Sequence, residues 1–263
     1  MTRTKALVTG ATGGIGAVYA DRLAARGHDL ILTGRDHARL SALAERLGAR
    51  AEVETIAADL DDPADLSALA LRLERDPSIS VLVNNAGIAG GGLALTGDAE
   101  AHDRLIRLNV LAATRLATAA ARNFSAKNRG TIINIGSVTS LIPERFPGVY
   151  PATKAYLLTF SQALAAELAP YGVRVQAVLP GATRTEIWDR AGMPIANLPA
   201  EILMDADEMV DAALAGLDQG ELVTIPSLPD AADWQRLEAA RAALGPNLSR
   251  DRAADRLRAG VPA

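Results

Sequence analysis

Tyr150 and Lys154 are the residues whose types and spacing point most directly to chemistry. Residues four apart lie on one face of a helix, so the phenol and the ammonium group would be neighbours. A phenol with a pKa of about 10 is a poor acid or base at neutral pH, but an adjacent positive charge lowers that pKa. The pair could therefore exchange a proton with a substrate oxygen, although a Tyr-x-x-x-Lys pair on its own often arises by chance.

Two further polar residues could complete this site. Ser137 follows a predicted strand and could hold a carbonyl or alcohol oxygen next to the phenol. Asn109 falls inside a long predicted helix, where asparagine is unfavourable by propensity, and this indicates a purpose other than helix formation. Its side chain could carry a water molecule that links Lys154 to solvent. The four side chains together would supply acid–base chemistry at one oxygen atom.

A glycine-rich turn joins the first predicted strand to the first predicted helix. Glycines let the backbone approach a pyrophosphate closely, and the free N–H groups of a helix N-terminus attract its negative charge. The spacing Gly-x3-Gly-x-Gly is a variant of the dinucleotide-binding pattern, although a glycine-rich turn can also be purely structural. The residues expected to contact a nucleotide here are Gly10, Thr12, Gly13, Gly14, Ile15 and Gly16.

The residue after the second predicted strand indicates which nucleotide binds. An acid there would bind the ribose of NAD, whereas Arg35 could pair with a 2′-phosphate. We therefore expect NADP(H) as the preferred cofactor, with NAD(H) possible, since Asp36 is adjacent and Arg35 could be an ordinary surface residue. Asp59, followed by Leu60, could accept a hydrogen bond from an adenine amino group or could be a strand-end turn residue.

An alternation of short apolar strands and longer helices must position these residues. The sequence predicts strands at 6–9, 30–33, 53–57, 81–83, 131–135, 174–179 and 222–225. The predicted helices lie at 15–26, 36–47, 63–75, within 102–124, at 151–168 and at 208–217. Continuous apolar strands indicate an α/β fold, a doubly wound three-layer sandwich with a seven-stranded parallel sheet. Ligands of such folds bind beyond the carboxyl ends of the strands, where the residues above fall.

The composition excludes several kinds of site and partner. The chain has 263 residues, and 27 Lys and Arg against 31 Asp and Glu give a net charge of −4, so nucleic acid and acidic membranes are not expected partners. Cysteine is absent, which excludes disulfides, thiolate metal sites and cysteine nucleophiles. The 3 histidines lack ligand spacing, so we expect no metal site. No apolar run approaches the ~20 residues of a membrane helix, and we expect a cytoplasmic protein.

Taken together, the motifs resemble those of the short-chain dehydrogenase/reductase family, in its single-domain branch, over about 5–225. The family's glycine motif matches 9–16, and its strand-end motif matches Asn84-Asn85-Ala86-Gly87. Before the resemblance is considered, those asparagines could equally be structural, because they can satisfy backbone groups where the sheet splays. The family's Pro-Gly motif after the sixth strand matches Pro180-Gly181. Its catalytic residues match, in order, Asn109, Ser137, Tyr150 and Lys154.

The resemblance implies a Rossmann-type fold and a role for each matched residue. Tyr150 would be the general acid in reduction and the base in oxidation, while Lys154 would bind the nicotinamide ribose and lower the pKa of the phenol. Ser137 would polarise the substrate oxygen, and Asn109 would support a proton relay. The further residues expected to contact the cofactor are Asn85, Ala86, Gly87, Tyr150, Lys154, Pro180, Gly181 and Thr183, the last of them at the nicotinamide amide.

We expect one dinucleotide-binding and catalytic domain over residues 1–263. Within it, residues 182–207 would form a substrate loop whose apolar side chains are either ordinary packing or a mobile lid over an apolar substrate. Residues 226–263 would form a C-terminal helical extension with two helices. Gly90-Gly91-Gly92 is typical of a flexible loop. Resemblance to the family also implies a homodimer or homotetramer, formed through the helices that contain Asn109 and Tyr150.

The leading hypothesis is an NADP(H)-dependent oxidoreductase that interconverts a carbonyl and a secondary alcohol, with a medium-sized apolar substrate. One alternative is a nucleotide-sensing regulatory protein that keeps the fold and the cofactor but has no turnover. The complete set of four polar residues argues against it, because a sensor has no need of the phenol–ammonium pair. Another alternative is a family member that catalyses a non-redox step such as dehydration.

Overall fold

The computed structural model describes residues 3–192 and 194–258. Within these residues, seven parallel strands form one sheet in the order β3-β2-β1-β4-β5-β6-β7. This confirms the predicted fold class, a Rossmann-type α/β fold whose chain winds outward from the centre in both directions. The strands are β1 (Lys5–Thr9), β2 (Asp29–Gly34), β3 (Val53–Ala57), β4 (Ile79–Asn84), β5 (Gly130–Ile135), β6 (Val173–Val178) and β7 (Val223–Thr224).

Helices connect and cover the strands. Eight of those described precede Pro226: α1 (Gly14–Ala25), α2 (His37–Leu47), α3 (Pro63–Arg75), α4 (Ala99–Ile106), α5 (Ala113–Ala126), α6 (Val149–Leu168), α7 (Ile187–Arg190) and α8 (Ala206–Asp218). The sequence predicts β3 and the range of α3 without error, and the other boundaries shift by a few residues. No helix of the described residues is long and apolar enough to cross a membrane.

Each central strand is apolar on both faces, and its residues alternate between two cores. In β1, Ala6 and Val8 pack into the core that holds α1, α2 and α8, whereas Leu7 packs into the core that holds α3, α5 and α6. β4 repeats the pattern, since Val83 faces the first core and Leu82 the second. Burying each such side chain stabilises the fold by about 1.5–3 kcal/mol, so both layers of helices are firmly attached to the sheet.

Aspartate side chains cap the N-termini of two helices, α2 and α3. The Asp36 carboxylate accepts a hydrogen bond from the Arg39 backbone N–H and caps α2. The Asp62 carboxylate accepts hydrogen bonds from the backbone N–H groups of Ala64 and Asp65, with Pro63 in the first turn of α3. Both arrangements satisfy N–H groups that a helix leaves unpaired. The cap by Asp36 also explains why an acid adjoins Arg35.

The long helix predicted within 102–124 is interrupted. α4 and α5 are continuous through a π-helical segment, Arg107–Ala112, that contains Asn109. π-Helical turns are rare in proteins and occur often at functional sites. The interruption therefore lies at the residue that the sequence singles out by its poor helix propensity.

The chain divides into two compact units, Met1–Pro226 and Ser227–Ala263. The described part of the second unit contains α9 (Ala231–Ala243) and two short 3-10 turns, Gly245–Asn247 and Asp255–Leu257. A second α-helix, which the sequence predicts for the extension, is not present in 227–258, and residues 259–263 lie outside the described residues. Whether the chain functions as one domain, with 182–207 as a substrate loop, stays a prediction.

Candidate active site

A cleft of about 830 Å³ opens at the carboxyl ends of β1, β2, β3 and β4. Its position agrees with the general location of ligand sites in doubly wound sheets. The structure brings together in it most of the residues that the sequence assigns to a cofactor. Those that line the cleft are Gly10, Thr12, Gly13, Gly14, Ile15, Arg35, Asp59, Leu60, Asn85, Ala86 and Gly87.

The glycine-rich turn is shaped by two glycines that no other residue could replace without a shift. Gly10 has a φ of +63°, in the left-handed region that disfavours side chains, and a Cβ there would lie 3.0 Å from the Cα of Ala86. Gly16 does not line the cleft. A Cβ at Gly16 would collide with the carbonyl oxygen of Gly10 and the side chain of Asn85, so this glycine allows α1 to pack closely against the turn.

Thr9 and Asn85 hold the turn against the end of β4. The Thr9 hydroxyl donates to the carbonyl of Val83 at 3.2 Å and accepts from the backbone N–H groups of Asn85 and Ala86 at 3.0 and 2.9 Å. The Asn85 amide donates to the carbonyls of Thr9 and Gly10 at 2.9 and 3.1 Å. The side chain of Asn85 is therefore structural here.

The two arginines at the outer end of the cleft differ in their contacts. Within the described residues, the exposed guanidinium of Arg35 makes no hydrogen bond or ion pair, which leaves it able to bind an anion. Arg39, which the sequence analysis does not single out, makes a bidentate ion pair with Glu186 at 2.8 and 2.9 Å. Because these two residues are 147 positions apart in the sequence, no local pattern could reveal the pair.

The sequence does not assign the other residues of the cleft to the cofactor. They are small or apolar strand-end residues, or residues from distant loops and helices, and no motif marks them. They are Thr33, Gly34, Asp36, Arg39, Ala58, Ile88, Ala89, Arg104, Leu108, Thr185, Glu186 and Ile187. The predicted strand at 53–57 could have located Ala58, since this residue directly follows it.

Tyr150 lies in the first turn of α6, and Lys154 lies one turn further along, so the predicted spacing places them on one face. The Lys154 ammonium group is 5.7 Å from the centre of the Tyr150 ring and donates to the carbonyl of Ile135 at 2.9 Å. The phenol is hydrogen-bonded to the side chain of Ser137, which lies two residues after the end of β5. Three of the four predicted catalytic residues are thus brought together by α6 and the end of β5.

The protonation of the pair differs from the prediction. Burial raises the pKa of Tyr150 to about 12, and the hydrogen bond from Ser137 opposes that rise only in part. Burial also lowers the pKa of Lys154 to about 8, because it disfavours the charged ammonium. The sequence predicts a phenol pKa below 10, and for the chain alone that prediction is wrong. Loss of hydration destabilises the phenolate more than the hydrogen bond from Ser137 stabilises it.

Asn109 connects the catalytic residues to the cleft. Its Oδ1 accepts from the backbone N–H of Ile88 at 2.9 Å, and its Nδ2 donates to the carbonyl of Ile88 at 2.9 Å and to the Thr153 hydroxyl at 3.1 Å. The Thr153 hydroxyl in turn donates to the carbonyl of Tyr150 at 2.7 Å. The side chain of Asn109 therefore fixes the loop after β4 to the start of α6. Its predicted part in a proton relay stays a prediction.

The segment after β6 runs from the catalytic residues toward the glycine-rich turn. The carbonyl of Pro180 accepts from the backbone N–H of Val138, and the Thr183 hydroxyl donates to the carbonyl of Gly181 at 3.2 Å. Thr183 is buried, and Pro180, Gly181 and Thr183 do not line the cleft. Their predicted contact with the cofactor stays a prediction, as does that of Tyr150 and Lys154.

The segment Gly90-Gly91-Gly92, expected to be a flexible loop, is closely packed. A Cβ on Gly91 would lie 2.6 Å from Leu105, and one on Gly90 would lie 3.4 Å from the Cα of Ala191. The segment therefore lies between α4 and the loop that carries α7.

The residues present fit a dinucleotide. The cleft contains a glycine turn at the N-terminus of α1, whose backbone N–H groups and dipole attract phosphate. Any side chain at Gly10 or Gly16 would crowd this turn. Arg35 and Asp59 lie at the ends of neighbouring strands where the ribose and adenine groups would be held. Within 3–192 and 194–258, His, Asp and Glu side chains form no group of three that could hold a metal ion.

A family model described as short chain dehydrogenase matches residues 4–193. The chain belongs to the short-chain dehydrogenase family. It is accordingly an oxidoreductase of that family, as the sequence resemblance predicts. A curated relative, the 3-oxoacyl-[acyl-carrier-protein] reductase of Escherichia coli (strain K12), is 34% identical over 227 residues, which cover 83% of this chain and 92% of the relative.

Two solved structures match nearly the whole chain. A short-chain dehydrogenase from Sphingobium yanoikuyae in complex with NADPH is 51% identical, with a TM-score of 0.93, and the match covers 96% of this chain and 98% of that one. A bulky-bulky ketone specific alcohol dehydrogenase from Comamonas testosteroni is 44% identical, with a TM-score of 0.89, over 97% of this chain and 99% of that one.

Proposed function

We propose that this short-chain dehydrogenase uses NADP(H) to interconvert a ketone and a secondary alcohol, and that its substrate is medium-sized and apolar. The observation that carries the proposal is the cluster of buried Ser137, buried Lys154 and partly buried Tyr150 beside a cleft that fits a dinucleotide. A nucleotide sensor would need the cleft but not this cluster, and burying an ammonium group without a purpose is costly.

In the proposed reduction, the substrate oxygen lies between the hydroxyl groups of Ser137 and Tyr150. Ser137 orients that oxygen through a hydrogen bond, and Tyr150 donates its proton to the oxygen as negative charge develops there. Bound NADPH would supply the hydride. Since the pKa of Tyr150 is about 12, the phenol is protonated at neutral pH, the form that reduction needs. In oxidation the same oxygen atom of Tyr150 takes the proton back.

Lys154 would assist the proton transfer by its charge. Its ammonium group lies close to the Tyr150 ring, and it would stabilise the phenolate that forms when the proton leaves. With a pKa of about 8, Lys154 is mostly charged at pH 7 and is still able to give up a proton. Asn109 would keep Tyr150 in place through Thr153.

The preference for NADP(H) is supported by the guanidinium of Arg35, which lines the cleft and has no ion-pair partner among the described residues, and by the NADPH complex of the Sphingobium yanoikuyae relative. Replacing Arg35 by alanine should weaken NADPH binding by about 10- to 100-fold and leave NADH binding unchanged, because a charge-assisted contact to the 2′-phosphate is lost. Arg46→Ala is a matched control, since Arg46 is on α2 and pairs with Asp21 away from the cleft. Equal loss of both cofactors in Arg35→Ala would contradict the assignment.

The substrate class is supported by the Comamonas testosteroni relative, whose structure is described as specific for bulky-bulky ketones. The test is a panel of ketones with two bulky apolar substituents, small ketones and 3-oxoacyl thioesters, followed at the nicotinamide absorbance band. We expect the highest kcat/KM with bulky ketones and NADPH. A preference for 3-oxoacyl thioesters, the substrate class of the Escherichia coli relative, would contradict the proposed substrate and leave the redox chemistry intact.

A homo-oligomer, dimeric or tetrameric, is also proposed. Large apolar side chains are exposed on the helices that contain Asn109 and Tyr150: Ile106 at 45%, Leu111 at 49% and Tyr156 at 38%. Such a patch is typical of a protein–protein interface. The expected cytoplasmic location stays a prediction.

A further inference from the structure

The ion pair between Arg39 and Glu186 joins α2 to the segment between β6 and α7. Both side chains are about half exposed and both line the cleft, with the two Nη atoms of Arg39 at 2.8 and 2.9 Å from the two carboxylate oxygens of Glu186. A surface salt bridge of this kind has a small net energy, so it can be exchanged for another anion. The pair is therefore an exchangeable contact inside the proposed cofactor site.

Arg39 lines the same cleft as Arg35, the residue proposed to bind the 2′-phosphate of NADP(H). Its Nη1 is 3.8 Å from the position that a Cβ on Gly13 would take. The Nε atom of Arg39 is 3.8 Å from the Asp36 carboxylate. The carboxylates of Asp36 and Glu186 therefore offset the charge of Arg39, which weakens its attraction for a phosphate of charge about −2.

We propose that Glu186 limits the affinity of this enzyme for NADP(H) by competing with the 2′-phosphate for Arg39. The inference rests on the proposed use of NADP(H). A bidentate carboxylate and a phosphate require the same donors of a guanidinium group in the same planar geometry. Binding of the phosphate would detach Arg39 from Glu186, while Arg35 is available from the start. Glu186 thus lowers the affinity for NADP(H) and does not affect NAD(H).

The exchange would also affect the segment that carries Glu186. Thr185 packs against the glycine-rich turn, since a Cβ on Gly14 would lie 2.9 Å from its Cγ2, and Ile187 lines the cleft. Trp188 donates from Nε1 to the carbonyl of Thr183 at 2.7 Å, within the same segment. The ion pair is one of the contacts that hold this segment to α2. Because binding of the 2′-phosphate would break that contact, it would change the environment of the segment and of Trp188.

Equilibrium binding tests the competition directly. Dissociation constants for NADPH, NADH and adenosine 2′,5′-bisphosphate are measured for the wild type, Glu186→Gln, Arg39→Gln and the double variant. Asp205→Asn is the matched control, because Asp205 is also an acid paired with an arginine, Arg184 at 3.0 Å, but does not line the cleft. Both members of the pair are exposed, so these variants should fold, and thermal unfolding checks that they do.

We expect Glu186→Gln to tighten binding of NADPH and of the bisphosphate by about threefold to fivefold, with NADH unchanged. Arg39→Gln should weaken NADPH binding, and in that background Glu186→Gln should give no gain. The competition would be contradicted if Glu186→Gln left the NADPH affinity unchanged. It would also be contradicted if Glu186→Gln raised the NADPH affinity equally in the Arg39→Gln background. If the wild type binds NADPH and either of these results is found for the variants, this inference alone is wrong. If the wild type binds neither NADPH nor NADH, the proposed function is wrong as well.

A fluorescence experiment tests the effect on the segment. The chain has 2 tryptophans, so Trp234→Phe leaves Trp188 as the reporter. Adenosine 2′,5′-bisphosphate should shift the emission of Trp188, and 5′-AMP, which lacks the 2′-phosphate, should not. In Glu186→Gln the bisphosphate should cause a smaller shift, because the ion pair is already absent. Equal responses to both nucleotides, or equal responses in both proteins, would show that Arg39 is not exchanged.

Discussion

Two opposite pKa shifts characterise the candidate catalytic residues. Burial raises the pKa of Tyr150 and lowers that of Lys154, so both side chains favour their neutral forms more than they would in water. Groups with strongly shifted pKa values next to a cleft are typical of active sites. Burial of these groups also lowers the free energy of unfolding, so its effect can be measured from protein stability.

The low pKa of Lys154 predicts a specific dependence of stability on pH. The folded-state pKa of about 8 is below the ordinary value of 10.5, so between these values the unfolded chain binds more protons than the folded one. The free energy of unfolding should therefore rise with pH in this range, by up to about 3 kcal/mol in total.

Denaturant unfolding of the wild type and of Lys154→Met between pH 7 and pH 9.5 checks this. The range stops below pH 10, where the Tyr150 phenol begins to ionise in the unfolded chain. The wild-type free energy minus that of the variant should increase steadily with pH. A difference that stays constant over this range would show that Lys154 is not desolvated.

The sequence identifies the residues of this site but not their surroundings. Tyr150 and Lys154 are four apart and belong to one helix, so their proximity follows from local geometry. Their pKa values depend on burial by the rest of the chain, which is why the predicted shift of Tyr150 has the wrong sign. The contact of Arg39 with Glu186 joins residues that only the folded chain brings together.

At the scale of elements, one hydroxyl joins the ends of β1 and β4. Thr9 is buried and bridges Val83, Asn85 and Ala86, and this positions the backbone that forms the cleft. Thr33 is its partner in register on β2 and is also buried, yet within the described residues its hydroxyl has no hydrogen-bond partner. The two threonines thus form a matched pair for mutation.

Thr9→Val should lower the free energy of unfolding by about 1 kcal/mol or more, because the partly buried backbone N–H of Ala86 loses its acceptor and that of Asn85 keeps only the carbonyl of Val83. It should also weaken NADPH binding, since Asn85 and Ala86 line the cleft. Thr33→Val should be neutral or slightly stabilising. Chemical denaturation measures both. Equal effects of the two substitutions would mean that the Thr9 hydroxyl does not hold these strands together.

The order of the elements follows closely from sequence patterns, but their irregularities do not. Continuous apolar strands and the proline at the start of α3 are local signals, and the strands and this helix form as predicted. The π-helical segment around Asn109 depends on hydrogen bonds to Ile88 and Thr153, which come from other parts of the chain. A local pattern can indicate that Asn109 is unusual, but not what it contacts.

For the whole molecule, the exposed apolar side chains suggest association of identical copies. Leu111 lies between α4 and α5 and is 49% exposed. We expect Leu111→Arg to reduce the mass in solution to that of one chain, because a charge would be buried in the proposed interface. Leu71→Arg is the control, since Leu71 is 47% exposed on α3 and belongs to another face. Analytical ultracentrifugation distinguishes the outcomes, and an unchanged mass for Leu111→Arg would exclude this interface.

The measurement that tests the central claim most directly is the comparison of Tyr150→Phe with Tyr156→Phe. Both substitutions remove one hydroxyl from α6, but Tyr156 is hydrogen-bonded to Thr114 on the helix surface. Turnover of a bulky ketone and the dissociation constant of NADPH are measured for each variant. Tyr150→Phe should lose turnover by about 10²- to 10⁴-fold with NADPH binding retained, and Tyr156→Phe should keep both. A Tyr150→Phe enzyme that reduces the ketone at the wild-type rate would contradict the account.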